Sequence, residues 1–421
     1  MRHAFQEPTE RVPLTFQVLL GLASASALLA IMVVLSVLLP VQVAQVDPAA
    51  AATNLAVVLP LGAFGALVGN PLGGALSDRT TSRFGRRRPW IVIGALATAA
   101  GLVILAVAPT VAGLALGWFV VQFFGNMLMA AHSAIVPDRV PAFQRGATQA
   151  ILGLISPVMM IGGAFYLGRV TDFRAGYGVV IAVLLACNAL FAAWYREPRL
   201  PPGALPRLRI GAFLASFWIN PRRQPNFAHV WLVWLFLWTG YIFGSGGFLF
   251  LYVQNMVGHA AHFPGFTVQE AMSQIQIVQT AVGVPLMMLA ALLSDRLQRR
   301  KPFLVAGGLL VIAGLIGLTV SASWGIVLAA TTVIGVGFRF FFSLGQALAT
   351  QILPSAAERG KDLGVLNIAS TVPQVILPGL GAALLNALGL GSPTGYAILF
   401  LSGAACTAAG LGLLPQIRGV R

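Results

Sequence analysis

The stretch 69–90, GNPLGGALSDRTTSRFGRRRPW, decides how the chain is read. It leaves an apolar run and then places one acid and five arginines between residues 78 and 88: Asp78, Arg79, Arg83, Arg86, Arg87 and Arg88. Trp90 opens a second apolar run. So dense a charge block cannot sit in a bilayer, and an arginine-rich loop between two spans belongs on the cytoplasmic side. Gly69, Gly73 and Gly74 should let the preceding helix approach a neighbour closely. Asp78 falls at that helix's C-terminal end, where the dipole disfavours a bare carboxylate. It therefore calls for a cationic or amide-donor partner, and the arginines around it are candidates.

Composition points the same way. Hydrophobic residues make up 58% of the 421 and charged residues 9%, with a mean hydropathy of +0.86. A soluble domain cannot bury that much apolar surface, so the class is a polytopic, all-α membrane protein. A span needs about 20 apolar residues, and twelve such spans use up the length. We read them at 14–40, 53–76, 90–108, 110–136, 147–169, 177–195, 228–257, 267–293, 303–321, 324–353, 363–388 and 394–414. The polar start and the length of the first run argue against a cleaved signal peptide. Cys187 and Cys406 lie in apolar runs and read as small core residues, not a disulfide framework.

Charge sets the expected orientation. With these spans, 23 of the 26 lysines and arginines fall in tails and loops on one side. Arg169 and Arg174 fall on the other side, and Arg339 falls inside a span. Both termini are then expected in the cytoplasm, with a bacterial inner membrane as the host. The net charge of +15 reflects topology and anionic lipid headgroups, with no nucleic-acid partner expected.

The two halves repeat weakly. Leu76-Ser-Asp-Arg recurs as Leu293-Ser-Asp-Arg, each followed by basic residues and then Pro-aromatic (Pro89-Trp90, Pro302-Phe303). Val136-Pro137 with Arg145-Gly146 recurs as Leu353-Pro354 with Arg359-Gly360. This implies a parallel duplication with the site between the halves near the midplane. The expected units are an N-terminal six-helix half over 1–195, a cytoplasmic linker over 196–226, and a C-terminal half over 227–421. The linker is rich in proline and arginine, and its amphipathic piece 210–219 should lie on the inner membrane surface.

Nothing reads as an enzyme. There is no metal-ligand spacing, nucleophile elbow or phosphate loop, and no cofactor is expected. His259 and His262 read as solvated loop residues. Polar side chains inside spans are costly and need a reason. In the eighth span, Gln269, Ser273, Gln276 and Thr280 form one wet helix face, widened by Glu270, Gln274 and Gln279. The seventh span offers Trp231, Trp234, Trp238, Tyr241, Ser245 and Tyr252. Trp231 and Trp234 read more as packing, while Trp238 and Tyr241 are equally candidates to stack on a solute. Gln122 and Asn126 lie in the fourth span, and Asn367, Ser370, Thr371 and Gln374 in the eleventh. For these, cavity lining competes with helix–helix hydrogen bonding. Arg339, in GVGFRFFFSLGQ, must face a wet cavity or a partner. It reads either as a structural arginine bonded to carbonyls and Gln276, or as a fixed charge for a substrate anion.

The pattern G-x-x-x-D-R-x(n)-G-R-R resembles the loop between helices 2 and 3 of the major facilitator superfamily. The fuller SDRTTSRFGRRRPW at 77–90 resembles the branch of sucrose transporters and their solute-carrier relatives, akin to glycoside–cation symporters. GKDLGVLNIASTVPQ at 360–374, and Asn126 followed twelve residues later by Asp138, are similar to that branch as well. The resemblance implies a twelve-helix fold that works by alternating access. Plant sucrose symporters place an acid at the position of Gln122 and an arginine at that of Ser133, and this chain has neither.

The expected function is secondary transport of a small solute, most readily a sugar or glycoside. The expected substrate residues are Gln122, Asn126, Trp238, Tyr241, Gln276, Gln279, Thr280, Arg339, Asn367 and Gln374. Asp78, Arg79 and Arg86 in one half, with Asp295 and Arg299 in the other, are the expected inner gate. The alternatives are an exporter of amphipathic compounds and a non-transporting membrane receptor or scaffold. A monomer in contact with membrane lipids is expected. A coupling proton, if there is one, would pass through Glu270 or His132, since no acid lies mid-span.

Overall fold

The computed structural model describes residues 8–197, 211, 225–257, 267–297, 299–352 and 359–417; the side chains at 142, 295, 346–352, 359–365 and 367 are outside that description. Residues 210 and 212–219 of the linker piece, as well as His259 and His262, also lie outside it. Among the described residues all regular structure is helical, and twelve helices are long and apolar enough to cross a membrane. They are α1 (Leu14–Val46), α2 (Ala51–Arg79), α3 (Arg88–Val107), α4 (Val111–Arg139), α5 (Ala142–Leu167), α6 (Phe173–Trp194), α7 (Pro225–Met256), α8 (Val268–Leu297), α9 (Lys301–Val320), α10 (Trp324–Ile352), α11 (Arg359–Leu388) and α12 (Pro393–Leu413).

Two helices differ from the sequence reading. The first span does not stop at Pro40 but continues to Val46, and its middle, Leu29–Leu38, is wound as a π-helix. The seventh span is not continuous. Gly244 and Ser245 donate their N–H groups three residues back, to Tyr241 and Ile242, at 3.1 and 3.2 Å. Gly246 then turns at φ +54, where a Cβ would be strained. The break divides α7 into Pro225–Phe243 and Gly246–Met256. Discontinuous helices mark binding sites in many transporters.

The chain forms two compact units, one of Met1–Gln42 with Leu61–Ile210, the other of Val43–Pro60 with Gly211–Arg421. In the first unit, α3 packs on α4 and α6, and α1 packs on α5 and α6. In the second, α9 packs on α10 and α12, and α7 packs on α11 and α12. The second set of pairs is the first shifted by six helices, as a duplicated chain requires. The repeated sequence signals serve the same local purpose in each unit. Pro89 and Pro302 both stand in the first turns of their helices, α3 and α9, where a missing N–H costs nothing.

Within the first unit, glycines bring α2 against α4. A Cβ at Gly65 would lie 2.9 Å from the Phe119 carbonyl, and one at Gly73 would lie 2.6 Å from Met127 Cα. At Gly69 it would overlap the Phe123 backbone, and at Gly62 the Trp118 ring. These positions recur every three to four residues, so backbone meets backbone along about three turns. Gly74, expected to share this contact, does not belong to it: a Cβ there would meet no atom within 4 Å.

Candidate functional site

In the second unit, α7, α8 and α10 bring together an aromatic group, an amide–hydroxyl group and one arginine. Trp238 and Tyr241 stand one turn apart on α7, just before its break. Phe338 of α10 stacks on Tyr241 with ring centroids 3.7 Å apart and planes 12° from parallel. Trp238 meets Phe338 edge-on at 4.8 Å. The Trp238 Nε1–H is buried without a hydrogen-bond acceptor. Trp234, by contrast, is 3% exposed and packs with Phe341, Leu237, Leu304 and Leu344 in the core. That is the packing role expected for it.

The polar face of α8 turns inward. Gln269, Ser273, Gln279 and Thr280 are all buried, and Gln276 is partly buried. Gln279 Nε2 donates to the Thr331 carbonyl on α10 at 2.9 Å. Thr280 donates its hydroxyl to the Gln276 carbonyl at 2.7 Å, and Gln276 Nε2 approaches Thr280 Oγ1 at 3.4 Å. Glu270 has a different task. Its Oε2 accepts from the Thr267 N–H at 2.8 Å, while the Thr267 hydroxyl oxygen accepts from the Glu270 N–H at 3.2 Å. This reciprocal capping box starts α8.

Arg339 lies about 15 residues into α10, roughly 20 Å along its axis. A charge inside an apolar segment costs about 2.5–3.5 kcal/mol on insertion scales. Its guanidinium donates to the Gly335 carbonyl at 3.1 Å and to Thr280 Oγ1 at a weak 3.5 Å. Of the bonds that the structural reading of Arg339 names, the one to a backbone carbonyl is present and the direct one to Gln276 is not, because Thr280 stands between the two. Tyr241 lies close enough to interact with the guanidinium electrostatically. Two glycines make its berth. A Cβ at Gly283 would come within 2.9 Å of Arg339 Cδ, and one at Gly335 within 3.0 Å of its Nη1 and 2.9 Å of Gln279 Cδ.

Three other substrate candidates, Gln122, Asn126 and Gln374, hydrogen-bond within their own helices. In the first unit, Asn126 Nδ2 donates to the Gln122 carbonyl at 2.8 Å and to its side-chain oxygen at 3.0 Å. The pair thus bonds within α4 rather than across helices. On α11, Gln374 Nε2 donates one turn back to the Ser370 carbonyl at 2.9 Å. Asn367 lies on the same helix with its side chain outside the described set. His132 of α4 is 2% exposed, beside the Phe191 ring and near Asn188.

The charged loop of the first unit closes into a network centred on Arg87, which sequence reading did not single out. Arg87 pairs with Asp78 at 2.5 Å and with Asp138 at 3.0 Å, and donates to Ser77 Oγ at 2.7 Å. Burial alone would pull Arg87 down, but Asp138 and Asp78 outweigh it and hold the guanidinium above its ordinary value. Arg86 does not pair with Asp78; it joins Asp138 at 2.7 Å and Glu197 at 3.2 Å. Arg79 donates back to the Ala75 carbonyl at 3.0 Å. Glu197 also accepts the Arg87 backbone N–H at 2.8 Å, at the start of α3. Gly85 carries a φ of +94 and packs where a Cβ would meet Glu197 at 2.7 Å, so the loop needs glycine there on both counts. In the second unit, Arg299 is exposed and the Asp295 side chain lies outside the described set.

Comparison with known proteins adds the family. The model described as Major Facilitator Superfamily matches residues 14–273 and 265–419. A search of curated proteins finds no match. Among solved structures, a POT family transporter in complex with 5-aminolevulinic acid is 15% identical, with a TM-score of 0.70 and 96% of each chain covered. The nucleoside transporter NupG is 14% identical, also with a TM-score of 0.70, covering 96% of this chain and 100% of its own. A peptide transporter POT in complex with sulfate is 13% identical, with a TM-score of 0.71, covering 96% and 94%. At these identities the likeness is one of fold.

Proposed function

The chain belongs to the major facilitator superfamily, and on that premise we propose that it carries a sugar, glycoside or similar polyhydroxy solute by alternating access. Family and fold make it a multi-pass membrane transporter rather than an enzyme. The observation that carries the solute class is the three-helix group in the second unit. Trp238, Tyr241 and Phe338 offer flat apolar faces, while Gln276, Gln279 and Thr280 offer amide and hydroxyl groups beside them. A sugar ring has an apolar face and a rim of hydroxyls, and such a group accommodates both. Arg339 in the same group disfavours lipophilic cations, since like charges repel strongly away from water.

Two further parts of the reading rest on charge. The excess of lysine and arginine on one side supports cytoplasmic termini. The Asp78–Arg87–Asp138 network supports a latch in the first unit that weights the inward-facing against the outward-facing state. Among the described residues no acid lies mid-span, and Glu270 is engaged as a helix cap. This favours facilitated diffusion over proton symport. The test is uptake of labelled mono- and disaccharides into proteoliposomes, with and without a pH gradient. Saturable uptake, reduced by Trp238→Ala and indifferent to the gradient, is expected. No saturable flux of any saccharide would refute the reading.

A further inference from the structure

We propose that the cargo is an acidic sugar derivative, a sugar or glycoside bearing one carboxylate or phosphate, and that its anion docks on Arg339. The inference rests on the solute class proposed above and names the member of it that this site fits. Arg339 has five N–H donors. Among the described residues they meet two acceptors, the Gly335 carbonyl and, weakly, Thr280 Oγ1 at 3.5 Å. No described acid forms an ion pair with it. The acid on the neighbouring helix, Glu270, precedes Gly283 by 13 residues, about 20 Å along α8, and its carboxylate is held in the capping box.

The berth is built rather than incidental. Gly283 on α8 and Gly335 on α10 both lack the Cβ that would crowd the guanidinium, and Gln279 is anchored beside it through Thr331. Nearby, the Trp238 Nε1–H is a second buried donor without an acceptor. A group made of an arginine, an unmatched indole N–H and stacked rings is rich in donors and has no negative partner among the described residues. A structural arginine is satisfied by carbonyl and hydroxyl acceptors, and here two described acceptors meet five donors. Here the matching charge is left to the solute, and a carboxylate or phosphate takes a guanidinium fork two-pronged.

The test uses two probes that differ at one carbon. In 4-nitrophenyl β-D-glucuronide a carboxylate replaces the hydroxymethyl group of 4-nitrophenyl β-D-glucoside. Calorimetric binding to the purified full-length transporter in nanodiscs, and uptake into proteoliposomes, are measured for both. The wild type should bind the glucuronide at least tenfold more tightly. Arg339→Gln should bring the affinity ratio within twofold of unity, and Arg339→Lys should retain part of the preference. Should Arg339→Gln fail to give monodisperse protein, Gly283→Ala takes its place. It displaces the guanidinium with the charge intact and should cut the ratio at least threefold. Equal affinity in the wild type, or a ratio unchanged in the folded variant, overturns the anion site while glucoside uptake keeps the sugar reading. Failure of both probes to bind or move overturns the two together.

Discussion

At the scale of single residues, the first unit's loop shows how burial ranks similar charges. Arg87 is 4% exposed, Asp138 18% and Asp78 45%. Removing one partner of a buried pair leaves an uncompensated charge and costs about 3–5 kcal/mol, whereas exposed pairs contribute little. Arg87→Ala should therefore sharply reduce the yield of folded protein. Asp138→Asn should lower the melting temperature more than Asp78→Asn does, by thermal unfolding in detergent. Asp78→Asn is expected to act on turnover more than on substrate affinity, because it perturbs a state balance rather than the site; an unchanged turnover in purified protein would refute that. The sign of the Arg87 shift matters for pH. A pKa raised by folding gives stability that is present below the unfolded value and lost only as pH rises past the folded one. That range is far above working conditions, so Arg87 stays charged throughout. Glu270 gives a second prediction. As the third-position residue of the capping box, its replacement by Ala should cost about 0.3–1.5 kcal/mol of stability, read as a lower melting temperature. Any proton coupling should be left as in the wild type, which a substrate-induced pH change in proteoliposomes would reveal.

At the scale of helices, the glycine face of α2 makes a paired test. Gly69→Ala puts a Cβ into the Phe123 backbone, which cannot move aside as a side chain can. Overpacking of this kind costs about 1–3 kcal/mol, so the variant should elute poorly from gel filtration and melt early. Gly74→Ala, five residues on, meets nothing within 4 Å and should behave as wild type. If the two variants melt alike, the close approach of α2 and α4 is not what the glycines serve. The same helices show what could be read in the sequence. Span positions, the arginine loop and the two Pro-aromatic helix starts were legible because hydropathy, charge and proline act locally. Gly69 and Gly73 were read into the contact, but Gly62 and Gly65, at the same spacing, were not. The break at Gly244–Gly246 is not legible in the sequence, because glycine is frequent in unbroken spans as well. Sequence leaves the partner of Asp78 open among several arginines, since only the folded loop selects Arg87 and brings in Glu197, 110 residues away. In the group around Arg339, Trp238, Tyr241 and the α8 amides are legible residue by residue, but Phe338 is not, since one phenylalanine in an apolar run carries no signal of what it stacks on. The glycine berth is not legible either, because a glycine's missing Cβ signals nothing until a neighbour is placed against it.

At the scale of the whole molecule, orientation follows from counting charges over helices. Twelve described spans are an even number, so both ends of the chain are expected on the same side. The positive-inside bias then acts on every loop at once. The α2–α3 loop alone has five arginines between residues 79 and 88, whereas the α1–α2 turn carries none and one acid, Asp47. Reversing the molecule would place that arginine cluster, with most of the remaining lysine and arginine, across the membrane. Two exposed positions on opposite sides of α2 test this, Ala49 before the helix and Thr81 after it. In a background with Cys187 and Cys406 replaced by alanine, Ala49→Cys should react with a membrane-impermeant maleimide in intact cells. Thr81→Cys should react only after the membrane is permeabilised. Labelling of Thr81→Cys in intact cells would invert the orientation and put the Asp78–Arg87–Asp138 network on the outer side. The latch would then be an outer one, so the same two cysteines decide which gate the first unit's charged loop can serve.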